Sequence, residues 1–116
     1  MRIRDNLYLI AIDPDQWDGG HYGQRLKHLY LDFENPNEPF QFMSGWGHGL
    51  GGCNANLETI KEYGLQDDFS SPVFSWFWKI LSDNKDLSIQ ELSQLVFTQY
   101  ESIKKSIPNK YQTWFQ

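Results

Sequence analysis

The chain is short of cysteine, of clustered basic residues and of long apolar runs, and each shortage closes off a class of protein. Cys53 is its single cysteine, and one thiol cannot close a disulfide within the chain, so a reducing compartment is expected. No Lys/Arg cluster exceeds Lys104-Lys105. Nucleic acid is therefore not expected as the main ligand, because phosphate recognition needs a basic stripe. The apolar run at residues 7–12 is six residues long, too short and wrongly flanked for a signal peptide and far from a membrane span. The expectation is a cytoplasmic protein without membrane contact. Internal repeats, linkers and low-complexity segments are also missing, so 1–116 reads as a single domain.

What the chain has in quantity is aromatic and acidic residues. Five Trp, six Tyr and eight Phe supply large buried areas and rule against disorder. Fifteen acidic against ten basic residues give a formal charge of −5 and a pI near 5.0. That balance suits a soluble protein, or one steered to a basic partner.

The first half reads as strands. Residues 7–12 form a continuous apolar run closed by Asp13-Pro14, the pattern of a central strand covered on both faces. Leu29, Leu31 and Phe33 alternate with His28, Tyr30 and Asp32, which predicts a half-buried strand with His28 on its more polar face. Phe40, Gln41, Phe42 and Met43 give a third strand. The turn chemistry of 34–39 pairs it with the second as a hairpin.

The second half reads as helices. Asn54 or Asn56 caps a helix running to about Tyr63, with Gly64 just past its end. Ser71-Pro72 opens a helix whose polar stripe is only Ser75, Lys79 and Ser82, so it is expected to be surrounded on most sides at the centre of the core. Ser88 and Glu91 form a capping box, and Leu87 with Leu92 has the spacing of a hydrophobic staple. Ile89, Leu92, Val96, Ile103 and Ile107 follow at helical spacing, Lys104-Lys105 suit the last turn, and Pro108 ends or kinks the helix. The tail, with Tyr111, Trp114 and Phe115, is too aromatic to stand in water and is expected to dock on the body or on a second chain. The fold class is α+β: a small N-terminal antiparallel sheet of about three strands with three C-terminal α-helices packed against it.

Two segments could carry function. In residues 45–53 five of nine are glycine, and Trp46, His48 and Cys53 accompany them. Glycine is costly in regular elements, so such a cluster needs a strained backbone or a close approach. Gly47, Gly49 and Gly52 spell G-x-G-x-x-G, but no parallel strand follows, and Cys53-Asn54 stands where a Walker loop needs Lys-Ser/Thr. A shaped loop is the plainer reading, and a loop lying against a partner the next. Cys53 is expected at a helix N-terminus, where its thiol pKa would fall, with His48 near in sequence. Yet no histidine lies beyond Cys53 in the chain, and a lone cysteine is more often a small buried residue.

The second segment is Asp13-Pro14-Asp15-Gln16-Trp17-Asp18-Gly19-Gly20, which reads as an acidic loop after the first strand. Gln24 occupies the twelfth position, where an EF-hand needs Glu. No His or Cys pair has zinc spacing either, so no metal or other cofactor is assigned. As an interaction loop, Asp13, Asp15 and Asp18 would mimic phosphates toward a basic cleft and Trp17 would be the buried anchor.

Three classes of protein fit these features. The leading one is a small acidic binding protein of immunity or inhibitor type that neutralises a basic partner enzyme, such as a nuclease toxin, through Asp13, Asp15, Trp17, Asp18, Trp46 and His48, with no catalytic residue of its own. The second is a small enzyme using Cys53 with a histidine. The third is a structural subunit, a homo-oligomer held by the aromatic tail.

Overall fold

A computed structural model describes residues 2–17, 24–46 and 53–103. Five strands come first: β1 (Arg2–Arg4), β2 (Leu7–Trp17), β3 (Gln24–Asp32), β4 (Phe40–Trp46) and β5 (Cys53–Asn56). Helices come after them: α1 (Leu57–Glu62), a 3-10 turn (Leu65–Phe69), α2 (Pro72–Asp83) and α3 (Ile89–Ile103). The α+β class holds, but the sheet has five strands rather than three, in the order β1-β2-β3-β4-β5 and antiparallel throughout. The central strand is therefore β3. β1 pairs with β2 only around Leu7 and Tyr8, leaving the rest of β2's outer edge without a described neighbour.

The expected hairpin of β3 and β4 forms with Leu31 opposite Phe40 and Leu29 opposite Phe42. Asp32 shapes its turn, its carboxylate accepting from the Glu34 N–H at 3.0 Å and from Asn35 Nδ2 at 2.6 Å. The tight turn from β1 into β2 uses Asn6 at φ 66°, a left-handed conformation that Asn tolerates better than most residues.

Two irregularities interrupt β2. Leu9 pairs with Tyr30 and Ala11 with Leu29, so Ile10 is an extra residue. Asp13 pairs with Lys27 and Gln16 with Arg25, so Pro14 and Asp15 together oppose Leu26. The loop expected from Asp13-Pro14 is thus a continuation of the strand through a bulge. Proline is admissible there because a bulge on an outer edge asks for no ladder hydrogen bond.

The helices cover one face of the sheet. Phe77 is fully buried, with its ring centroid 4.9 Å from that of Phe40 and 5.8 Å from that of Phe42. Trp78 stacks on Phe42 at 5.6 Å and 11°, and its indole N–H donates to the Phe69 carbonyl at 2.7 Å, so the polar handle of a half-buried Trp is satisfied. Tyr8 receives Phe97 and Tyr100 of α3 at 4.7 and 6.3 Å. Of the apolar residues of α2, however, only Phe74 and Phe77 are buried. Trp76, Trp78, Ile80 and Leu81 are half-buried and Val73 is exposed. That helix lies on the sheet with one flank in solvent and is not enclosed, because no further layer of described residues stands over it.

The local signals are realised where they were sharp. Asn56, not Asn54, caps α1, its Oδ1 accepting from the Thr59 N–H at 2.8 Å. Gly64 comes just past it at φ 64°. Ser88 Oγ accepts from the Glu91 N–H at 3.1 Å, and Glu91 Oε1 accepts from the Ser88 N–H at 3.1 Å. The bond from the Ser88 backbone, and then that with its side chain, hold the Glu91 carboxyl below its usual range. Lys104, Lys105, Ile107, Pro108 and the aromatic tail lie outside the described residues.

Candidate functional site

Because β2 and β4 run the same way on either side of β3, their C-terminal ends leave the sheet at the same end. The acidic segment and the start of the glycine segment, thirty residues apart in sequence, are thereby brought together across one strand. The ladder can be followed row by row. Ala11, Leu29, Phe42 and Ala55 make a core row. Asp13, Lys27, Ser44 and Cys53 make a polar row further out. Beyond it stand Gln16, Arg25 and Trp46, and then Trp17 opposite Gln24.

Asp13, Asp15 and Trp17 thus sit on the outer part of β2 and Trp46 at the end of β4; Asp18 and His48 lie outside the described residues. Trp17 and Trp46 occupy adjacent rows, two strand spacings or roughly 10 Å apart. Adjacent rows of a pleated ladder belong to opposite faces. The two tryptophan positions therefore share an end of the sheet and take opposite faces of it.

The charges at this end are mixed. Lys27 stands opposite Asp13 and Arg25 opposite Gln16, so basic positions of β3 interleave with the acidic ones of β2. Lys27 Nζ also lies 5.8 Å from the centroid of the Phe69 ring, within cation–π range.

Cys53 is the first residue of β5, opposite Ser44, and α1 begins at Leu57. The expected helix N-terminal position of the thiol is corrected, and with it the expected lowering of its pKa by a helix dipole. The signal misread was Asn54, which pairs with Met43 in the ladder and does not cap. His28 stands on the row of Ile12 and Met43, one row nearer the core. It is buried, not at the surface, and burial lowers its pKa to about 4. Burial also pushes the Tyr30 hydroxyl above its ordinary range.

A groove of about 850 Å³ that sequence reasoning did not anticipate opens between α1, the 3-10 turn, α2 and α3. Leu57, Trp78, Leu81, Leu87 and Leu92 line it, and Lys61 and Lys85 contribute to its walls. Its only sequence signal was the staple pair Leu87 and Leu92. Among the described residues no group of three or more His, Cys, Asp or Glu could hold a metal ion, and no helix is long and apolar enough to cross a membrane. No family model, no curated protein and no solved structure matches the chain.

Proposed function

We propose that this chain is a small acidic binding protein of immunity or inhibitor type, which neutralises a basic partner enzyme such as a nuclease toxin by direct contact. The contact is the outer end of the β2–β3–β4 ladder, with Trp17 and Trp46 as anchors and Asp13, Asp15, Asp18 and His48 around them. One observation carries the reading: the two tryptophan-bearing strand ends converge at one end of the sheet, past its apolar rows. Aromatic positions on both faces of a sheet end fit entry into a cleft better than contact with a flat surface. Buried Trp anchors are the kind of residue that dominates interface energy. The net charge of −5 supplies long-range attraction to a basic surface. Arg25 and Lys27 supply register, since a partner must place its own charges to match an alternating set.

The test is capture with the purified chain, from lysate of the source organism supplemented with the product of the neighbouring reading frame, read by native mass spectrometry. A stoichiometric complex with a basic enzyme whose activity falls on binding is the expected result. A bound partner that keeps full activity would overturn the inhibitor reading.

A further inference from the structure

The groove between α1, the 3-10 turn, α2 and α3 gathers much of the half-buried apolar surface of the helices. Leu57 of α1, Trp78 and Leu81 of α2, Leu87, and Ile89 and Leu92 of α3 line it, and every one of them is half-buried. Trp78 and Leu81 stand at i and i+3, as do Ile89 and Leu92, so α2 and α3 each present a row of side chains along one side. The groove is a trough open to solvent, and no strand residue lines it. Apolar surface concentrated in one concavity, rather than scattered singly, is the kind that marks an interaction site.

Charge sets the groove apart from the molecule as a whole. The chain carries a formal charge of −5, yet Lys61 and Lys85 line the groove against one acidic residue, Asp67. Lys61 comes from α1 and Lys85 from the segment after α2, so the two cations belong to different walls. Both are exposed. Among the described residues neither takes part in an ion pair; the pairs there are Arg2–Asp5 and Lys79–Asp83. An adjoining hollow of about 290 Å³ shares Leu57, Lys61 and Ile89 but brings in Glu38 and Glu58, so the positive character ends on that side.

The geometry points to this groove as the docking site of an acidic amphipathic helix from a partner protein, with its apolar ridge among Leu57, Trp78, Leu81 and Leu92 and its carboxylates beside Lys61 and Lys85. Charge complementarity names the occupant: two exposed cations on different walls of an apolar trough match acidic residues on both flanks of an apolar ridge. A volume of about 850 Å³ takes about two turns of a helix about 10 Å across. Two turns place apolar residues at i, i+3, i+4 and i+7 on one side. An extended peptide binds by adding to a strand edge, which this trough does not offer. A helix satisfies its own backbone and needs only side-chain contacts, which rows of side chains on neighbouring helices supply by ridge-into-groove packing. The contact is separate from the outer end of the ladder and opposite to it in the charge it selects.

The experiment is selection of a displayed library of random 16-residue peptides on the full chain, followed by NMR titration of the recovered peptides. The recovered sequences are expected to carry apolar residues at i, i+3, i+4 and i+7 with Asp or Glu beside them. They should shift the Trp78 indole signal and the methyl signals of Leu81 and Leu92. A Lys61→Glu, Lys85→Glu variant, changed only at exposed positions, should bind them roughly tenfold more weakly or worse at low salt. The Asp13→Asn, Asp15→Asn, Asp18→Asn variant should bind them as the wild type does, which separates this contact from the one at the ladder end. Recovery of no peptide, of peptides without acidic residues, or of peptides that leave Trp78 unmoved would overturn the inference. Shifts of the same signals on concentrating the chain alone would also overturn it and assign the groove to a second copy.

Discussion

The inner and outer halves of the β2–β3–β4 ladder are built by the same three strands and differ in nearly every other respect. The inner rows hold Leu9, Leu29, Leu31, Phe40 and Phe42, fully or almost fully buried, with His28 and Asp32 as buried polar members. The outer rows hold Asp13, Asp15, Arg25, Lys27 and two tryptophans, and their outer strand is broken by a proline at a bulge. β2 runs to eleven residues, and its described buried positions fall between Leu7 and Ile12. The outer half adds length and charge, and on this contrast rests the proposal that the inner half carries stability and the outer half recognition.

The largest expected effect belongs to the inner half. Phe77→Ala removes a ring buried among Phe40, Phe42 and Trp78 and should cost about 3–5 kcal/mol in urea unfolding. A loss below about 1 kcal/mol would mean the inner rows are not the structural half. Acid comes next. The pKa of His28 is lowered by burial from 6.5 to about 4, so the unfolded chain binds its proton first as pH falls. Stability from this group is intact above pH 6.5, declines between 6.5 and about 4, and is constant below that. At about 1.4 kcal/mol per pKa unit the loss is about 3 kcal/mol. A His28→Gln variant whose stability falls as steeply over that window would show that another group is responsible.

Smaller again is Asn56→Ala, which removes the cap accepting from Thr59 and should cost about 1 kcal/mol, read as a shift in denaturation midpoint at constant slope. Smallest is the outer half itself. Asp13→Asn, Asp15→Asn and Asp18→Asn together should move stability by no more than about 0.5 kcal/mol. A larger loss would make this end a structural element in its own right.

How much of this was legible depended on whether the signal was local. The capping box of Ser88 and Glu91, Gly64 after α1 and the hairpin around 34–39 are short-range chemistry, and each stands where the residues put it. β1 and β5 were invisible because Arg2-Ile3-Arg4 and Cys53-Asn54-Ala55-Asn56 carry almost none of the β-branched or aromatic residues of a strand, and they are strands only through their neighbours. His28 and Tyr30 read as the polar side of an alternating strand, yet both faces of β3 are buried, and periodicity does not report a second cover. Of the candidate site, the residue types were legible. Their convergence was not, since it arises from β2 and β4 flanking β3, and neither was the pairing of Asp13 with Lys27.

The assignment of recognition to the outer half is best tested by titrating the captured partner against the wild-type chain and the Asp13→Asn, Asp15→Asn, Asp18→Asn variant over a range of salt. The expected result is weaker binding by the variant at low salt, a shallower salt dependence and unchanged folding. Equal affinity and equal salt dependence for the two chains would contradict it and move the contact to another part of the molecule.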